Sequence, residues 1–127
     1  VALFNPFADR QTARQRSGQA GEDEALAHLT LHGLKLVERN FRCKGGEIDL
    51  VMEDGGALVF VEVRKRSSMA FGGAAASVTP AKQARMIRTA QFFLLRYPAA
   101  PPCRFDVVAI DGDLKNGGQL SWLKNVI

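Results

Sequence analysis

The sequence has few of the residues that small domains use as covalent or metal staples. Its 127 residues include two cysteines, two histidines, one tryptophan and one tyrosine. Cys43 and Cys103 form no Cys-x-x-Cys pair, which excludes a disulfide framework and a zinc ribbon and makes an intracellular, cytoplasmic protein the expectation. Neither thiol has a neighbouring His to act as a base, so both read as packed or idle. His28 and His32 are one helical turn apart, but no Glu follows His28 and no third ligand is indicated, so they read as surface residues. The pairs Gly45-Gly46 and Gly72-Gly73 lack the Lys-Ser/Thr of a phosphate loop, and no nucleotide cofactor is expected. No apolar run approaches the roughly twenty residues of a membrane helix, and nothing resembles a signal peptide, so no membrane partner is expected. Trp122 and the phenylalanines interleave too sparsely with basic residues to form a base-stacking platform and are expected in the core.

What is present fits one basic globular domain. Apolar residues make up 46% and charged residues 24%, near the globular average. A chain this long buries roughly two-thirds of its unfolded surface, enough for a core without staples. Seventeen Lys and Arg oppose thirteen Asp and Glu, a net charge of +4. The bases gather at Arg10/Arg14/Arg16, Arg39/Arg42/Lys44, Arg64/Lys65/Arg66 and Lys82/Arg85/Arg88. The acids gather at Glu22, Asp23 and Glu24 and between Glu47 and Glu62. A basic field around an acidic centre suits a metal-dependent nuclease, and it also describes an ordinary ion-paired surface.

Residues 1–17 read as an N-terminal arm, and residues 18–127 as a single domain. A helix is expected over 18–31, with Ala25, Leu26 and Leu29 on one stripe and Gly33 as its stop. Residues 34–39 alternate like a strand, and 40–46 read as a basic loop. Two strands follow, 47–53 and 57–65, joined by Asp54-Gly55-Gly56, a strong hairpin signal. The Gly- and Ala-rich stretch 67–77 reads as a mobile connection. Thr79 as N-cap and Pro80 at the first helical position open a helix whose stripe is Met86, Ile87, Ala90, Phe93, Leu94 and Tyr97. Pro98 and Pro101-Pro102 end it. Strands at 104–110 and 119–126 flank a turn-rich loop. The order α-β-β-β-α-β-β predicts an α/β layer fold.

The hairpin carries the chemistry. With Gly55-Gly56 as a two-residue turn, opposed positions sum to 111, so Asp49 faces Glu62 and Glu47 faces Arg64. Directly opposed residues share a sheet face. That face then holds Glu47, Asp49, Glu62 and Arg64, continued by Val51, Phe60 and Leu58. Like charges directly opposite each other destabilise a sheet unless something cationic sits between them. Ion bridges to nearby Arg and Lys are one remedy. A divalent metal is the other, since Mg²⁺ is held by one or two carboxylates, waters and substrate phosphate. Glu22 lies three, four and seven residues before Ala25, Leu26 and Leu29, on the helix's apolar stripe. It either caps the helix or reaches toward the same metal. Asp106, in an otherwise apolar strand, reads as a structural ion pair with Arg104, or else as an outer part of the site.

These residues resemble a family. Gly46-Glu47-Ile48-Asp49-Leu50, followed by Val59-Phe60-Val61-Glu62-Val63-Arg64, looks like the Asp…Glu-x-Lys core of the PD-(D/E)xK nuclease superfamily. The wider pattern is closer to the bacterial YraN family, itself similar to Holliday-junction resolvases. It includes Gly18, Glu22, Gly33, Asn40-Phe41-Arg42, Gly72-Gly73, Lys82-Gln83 and the stretch from Arg104 to Val108, spanning residues 18–124. The resemblance implies a restriction-endonuclease-like αβββαβ core, a mixed central sheet flanked by helices. It implies Mg²⁺ or Mn²⁺ on Asp49 and Glu62 with the Val63 carbonyl, and Glu22 as an added acid for a second ion. Arg64 stands at the catalytic Lys position, and Gln83 matches a polar residue supporting the site from the second helix. The implied partner is DNA, branched or junction DNA included, and relatives that cut two strands symmetrically make a homodimer plausible. Arg39, Arg42 and Lys44 on one side, with Arg66 and Lys82 on the other, are the candidate phosphate contacts. Arg64 departs from the pattern: a guanidinium stays protonated, so it can stabilise charge but cannot serve as a base. The alternative is therefore a catalytically inactive nucleic-acid-binding or protein-interaction module that keeps the nuclease fold.

Overall fold

Gly55 and Gly56 adopt φ of 57° and 91°, the paired positive values of the tightest hairpin turn, and they set the register of the whole sheet. The structure is a computed structural model that describes residues 13–67, 73 and 75–127. Its elements are α1 (Ala13–Leu31), β1 (Lys35–Cys43), β2 (Gly46–Asp54), β3 (Ala57–Arg66), α2 (Pro80–Leu94), β4 (Cys103–Asp111) and β5 (Gln119–Leu123). The five strands lie in the order β1-β2-β3-β4-β5. All neighbours are antiparallel except β3 and β4, which run parallel with α2 as their crossover. This is the α/β fold expected, an αβββαβ core with a mixed sheet between two helices.

Each helix covers one face. Ala25 and Leu29 of α1 pack on Leu50, Met52, Val59, Val61, Val108 and Ile110. Ala90 and Phe93 of α2 pack on Ile48, Val51, Leu58 and Phe60. Phe93 sits edge-on to both Phe41 and Phe60, with ring centroids 5.2 and 5.7 Å away. The α2 start follows its sequence signals: the Thr79 side chain accepts from the Lys82 N–H, and Pro80 occupies the first turn.

Three expectations need correction. Residues 40–43, read as loop, are strand: Phe41, Arg42 and Cys43 pair with Ile48, Glu47 and Gly46. As an edge strand β1 is largely exposed, so its polar composition imitates a loop. Residues 13–17, read as part of the arm, already belong to α1, while the remainder of the arm lies outside the described residues. Most of the stretch read as a mobile connection, 68–72 and 74, also lies outside them, and Ala75–Ser77 forms a short 3₁₀ turn.

The fourth departure shapes the site. Residues two apart on a regular strand share a face, yet Leu50 packs beneath α1 and Ile48 beneath α2. On β1, Arg39 likewise reaches α1 while Phe41 packs toward α2. Between these residues Asn40 takes φ of 51°, and the pair it would form with Asp49 is missing between Arg39↔Leu50 and Phe41↔Ile48; a separate register shift lies between Leu36 and Glu38. Both strands therefore roll over together at Asn40 and Asp49. Beyond the roll, Glu47 lies on the side of α1 rather than on the shared face expected with Glu62 and Arg64.

At the end of β2, Gly46 has φ of 154°, and a Cβ built there lies 2.9 Å from Thr89 Oγ1. Thr89 is fully buried, and its hydroxyl donates to the Arg85 carbonyl at 2.8 Å. Gly46→Ala should therefore push α2 off the strand and cost about 1–3 kcal/mol, the usual penalty of overpacking. A urea melt checks this; an unchanged midpoint would mean that α2 moves aside freely.

Candidate active site

The paired part of the β2–β3 hairpin ends at Leu50 and Val61. Beyond that point β3 continues only with β4, and the two hairpin strands part. The Val63 N–H, which a continued ladder would direct at the β2 backbone, donates instead to Asp49 Oδ2 at 2.8 Å. The Asp49 side chain thus fills the fork, with Glu62 beside it and only 6% exposed. Asp49 and Glu62 are neighbours as the register arithmetic expects, but the ladder stops one pair short of them.

A cavity of about 780 Å³ opens over this fork. Its lining combines the acids Glu22, Glu47, Asp49 and Glu62 with the bases Arg64, Lys65, Arg66, Lys82 and Arg85. Carboxylate oxygens of Glu22, Glu47 and Asp49 lie within 4.8 Å of one another. Burial, then the neighbouring Glu62 charge, pushes the Asp49 carboxyl up to about 8, against the pull of the Val63 N–H; Glu22 and Glu47 add to the rise. Burial also raises Glu62, opposed by Lys82 and Arg64, whose charged nitrogens each lie 3.6 Å from Glu62 Oε1. Two buried carboxyls competing for one proton form a strong site for a cation. The donors are all hard oxygens, the set that suits Mg²⁺ or Mn²⁺ rather than a thiophilic metal.

The structure brings together Glu22, Asp49, Glu62, Arg64, Lys82 and, at the rim, Arg66. Gln83 is not among them: its amide points back toward the Val78 carbonyl at 3.5 Å, bracing the start of α2. Arg39 and Arg42 are engaged by acids, Arg39 with Asp23 at 2.7 Å and Glu22 at 3.7 Å, and Arg42 with Glu47 at 3.0 Å. Lys44 is exposed in the β1–β2 turn, outside the cavity lining. Arg64 is tied by its Nε to Ser77 Oγ at 2.7 Å, which fixes the 3₁₀ turn ahead of α2. Lys65, expected on the other face, also lines the cavity, and its ammonium pairs with Glu24 of α1 at 2.9 Å.

Four residues enter the site that the sequence reading gave no role there, Lys65 among them. Glu47 joins the carboxylates because of the roll at Asn40, and its signal was only its place beside Asp49 in the hairpin. Arg85 lines the cavity one turn after Lys82. Asn40 Nδ2 donates to Glu22 Oε1 at 2.8 Å and to Glu47 Oε1 at 3.2 Å.

The features set aside stay apart from this cavity. His28 and His32 stack at 4.4 Å and meet the edge of Trp122, and burial, then His32, lowers the His28 pKa. Cys43 and Cys103 are free thiols. Trp122 is half-buried and donates to Asp106, so it serves as a strap at the edge of the core rather than its filling. Asp106 pairs with Arg104 away from the cavity, the structural reading of the two. No helix among the described residues is long and apolar enough to cross a membrane.

Known proteins share this sequence closely. The sequence model of Uncharacterised protein family UPF0102 matches residues 21–110, which include every acid of the cavity. A UPF0102 protein of Janthinobacterium sp. (strain Marseille) is 60% identical over 121 residues, covering 95% of this chain and 94% of its own. Another from Herminiimonas arsenicoxydans is 63% identical over 117 residues, covering 92% and 90%. A third, from Cupriavidus taiwanensis, is 55% identical over 117 residues, covering 91% and 86%.

Proposed function

The chain belongs to Uncharacterised protein family UPF0102, and from its site we propose that it is a Mg²⁺- or Mn²⁺-dependent endonuclease hydrolysing phosphodiester bonds in DNA, branched DNA included. One observation carries the reading: Asp49 and Glu62 meet in the fork of a hairpin, inside a cavity that Arg64, Arg66, Lys82 and Arg85 also line, with Arg64 and Lys82 each 3.6 Å from Glu62. A purely structural pair of acids has no reason to be crowded at the mouth of an open cavity, where burial and mutual repulsion both oppose its charge.

Asp49, Glu62 and the Val63 carbonyl are the residues that would hold the ion, with Glu22 and Glu47 completing a second set around Asp49. When bound there, a divalent ion supplies Lewis acidity to a phosphoryl oxygen and acidifies the attacking water. The chain's own part is placement and charge. Arg66 and Arg85 have no ion-pair partner among the described residues and are left to bind phosphate at the rim. Lys82 holds its ammonium beside Glu62, where the motif's missing Lys would act, and Arg64 keeps its second nitrogen toward the same oxygen. Both stabilise negative charge that builds on the phosphoryl group.

The test is cleavage of duplex, flap and four-way-junction DNA in Mg²⁺, Mn²⁺ or EDTA. Wild-type protein should cut only with metal, and Glu62→Ala should reduce cutting to background. Activity that survives EDTA or Glu62→Ala would overturn the reading. Lys82→Ala should lower the rate about 100-fold, the typical loss of one preorganised charge stabiliser, whereas Arg64→Lys should retain most of it. The presence of Arg64 in place of Lys favours one other reading, a DNA-binding module without turnover. Binding of all three DNAs with no cleavage in either metal would select that reading.

A further inference from the structure

We propose that Asn40 assembles the metal centre, a positioning residue that draws Glu22 of α1 and Glu47 of β2 onto one side-chain amide so that both converge on Asp49. The inference rests on the reading of this acidic cluster as a metal site.

Two independent features meet at this residue. Its backbone lies in the left-handed region at φ of 51°, where Asn is among the few residues other than Gly that sit at little cost. That conformation accompanies the roll of β1 and β2, which moves Glu47 to the α1 side. The side chain then spends both of its amide hydrogens on the cluster, 2.8 Å to Glu22 and 3.2 Å to Glu47. A neutral donor is suited to this task. It holds two carboxylates close without adding a further positive charge to those of Arg39, 3.7 Å from the same Glu22 oxygen, and Arg42, on the other Glu47 oxygen.

Asn40→Gly separates the two features, because Gly accepts the left-handed backbone and lacks the amide. The variant should melt in EDTA close to wild type, yet bind Mn²⁺ about 10–100-fold more weakly by titration calorimetry, the usual loss when a ligand's outer support is removed. In a Glu22→Gln background the same substitution should cost much less, since one of the two acceptors it organises is already neutral. Equal Mn²⁺ affinity in Asn40→Gly and wild type, or an equal loss in both backgrounds, would overturn the proposal and leave the metal site standing. Failure of wild type itself to bind Mn²⁺ would overturn the site reading and this inference with it. A second measurement needs no Asn40 variant. In the wild type the Asn40 side-chain NH₂ resonances should shift when Mg²⁺ is added, and in Glu22→Gln they should move even without metal. Resonances indifferent to both changes would also overturn it.

Discussion

Replacing Asp49 by Asn should raise the melting temperature of the metal-free protein at neutral pH and abolish both divalent-metal binding and cleavage. The folded Asp49 carboxyl titrates at about 8, against 3.8 without its surroundings, mainly because it is buried and faces Glu62. A raised folded value means that the native state holds a proton that the unfolded state has already released. The apoprotein therefore has the full benefit below about pH 4 and loses stability as pH climbs toward 8, by up to about 1.4 kcal/mol per pH unit from this group. Asparagine imitates the protonated acid: its oxygen still accepts the Val63 N–H, and its nitrogen can donate to Glu62. At pH 7–8 in EDTA the gain should be several degrees, at about 2–8 °C per kcal/mol for domains of this size range. Melts in EDTA from pH 5 to 9 test the sign, because the advantage of Asp49→Asn must shrink toward acid. On the proposed reading of the site, metal uptake by the wild type is linked to the same proton. Mn²⁺ affinity should rise with pH up to about 8, and calorimetry in buffers of different ionisation heat should register proton release. An Asp49→Asn protein that melts lower than wild type at pH 8 would show that the two carboxyls are not in conflict.

The parts of this site that were legible were those fixed by a two-residue turn. With Gly55-Gly56 as a two-residue turn the register runs from Asp54 and Ala57 to Leu50 and Val61, and Asp49 and Glu62 come next on either strand. What broke the reading was a single backbone angle. Nothing in an alternation pattern announces that Asn40 adopts positive φ in the middle of a strand, so the pattern alone puts Glu47 on the wrong face. Helix rotation was the other hidden variable. The sequence showed that Lys82 and Gln83 open a helix, but adjacent helical residues point about 100° apart. Which of them turns toward Glu62 depends on how Phe93 and Ala90 seat α2 on the sheet. The structure selects Lys82 and turns Gln83 toward its own N-terminal backbone. The deep core was easier, because Leu50, Met52, Val59 and Val61 sit on strands buried from both sides and could hardly be anything else.

Replacing Asp106 by Ala should unfold the protein at far lower temperature while leaving the metal affinity of the folded fraction unchanged. Asp106 is fully buried in β4 and accepts from three donors. Arg104 Nε lies 3.2 Å from each carboxylate oxygen, and Trp122 Nε1 and the Asn125 N–H lie at 2.9 Å. This one carboxylate therefore ties β4 to β5 and to the chain after it, where Val126 also donates to the Phe105 carbonyl. Its loss strands several donors at once. Arg104 keeps Asp54 at 2.9 Å, but its other terminal nitrogen is already buried without a partner, so the guanidinium has no alternative bond to make. Breaking a buried ion pair from one side costs about 3–5 kcal/mol, and an orphaned indole or amide N–H adds about 1–3 kcal/mol. Against a typical domain stability of about 5–15 kcal/mol this is a large fraction. Hydrogen exchange should accelerate first at Asn125 and Val126, because their amides lose their anchor before the central strands open. Asp106→Asn should fall between, since one oxygen survives while the new NH₂ faces donors. Asp106 and Arg104 lie outside the cavity lining, so Mn²⁺ titrations below the lowered melting point should match wild type. A variant that melted within a degree of wild type would mean that water replaces the carboxylate without loss. A variant that melted normally but lost Mn²⁺ would place Asp106 in the site after all.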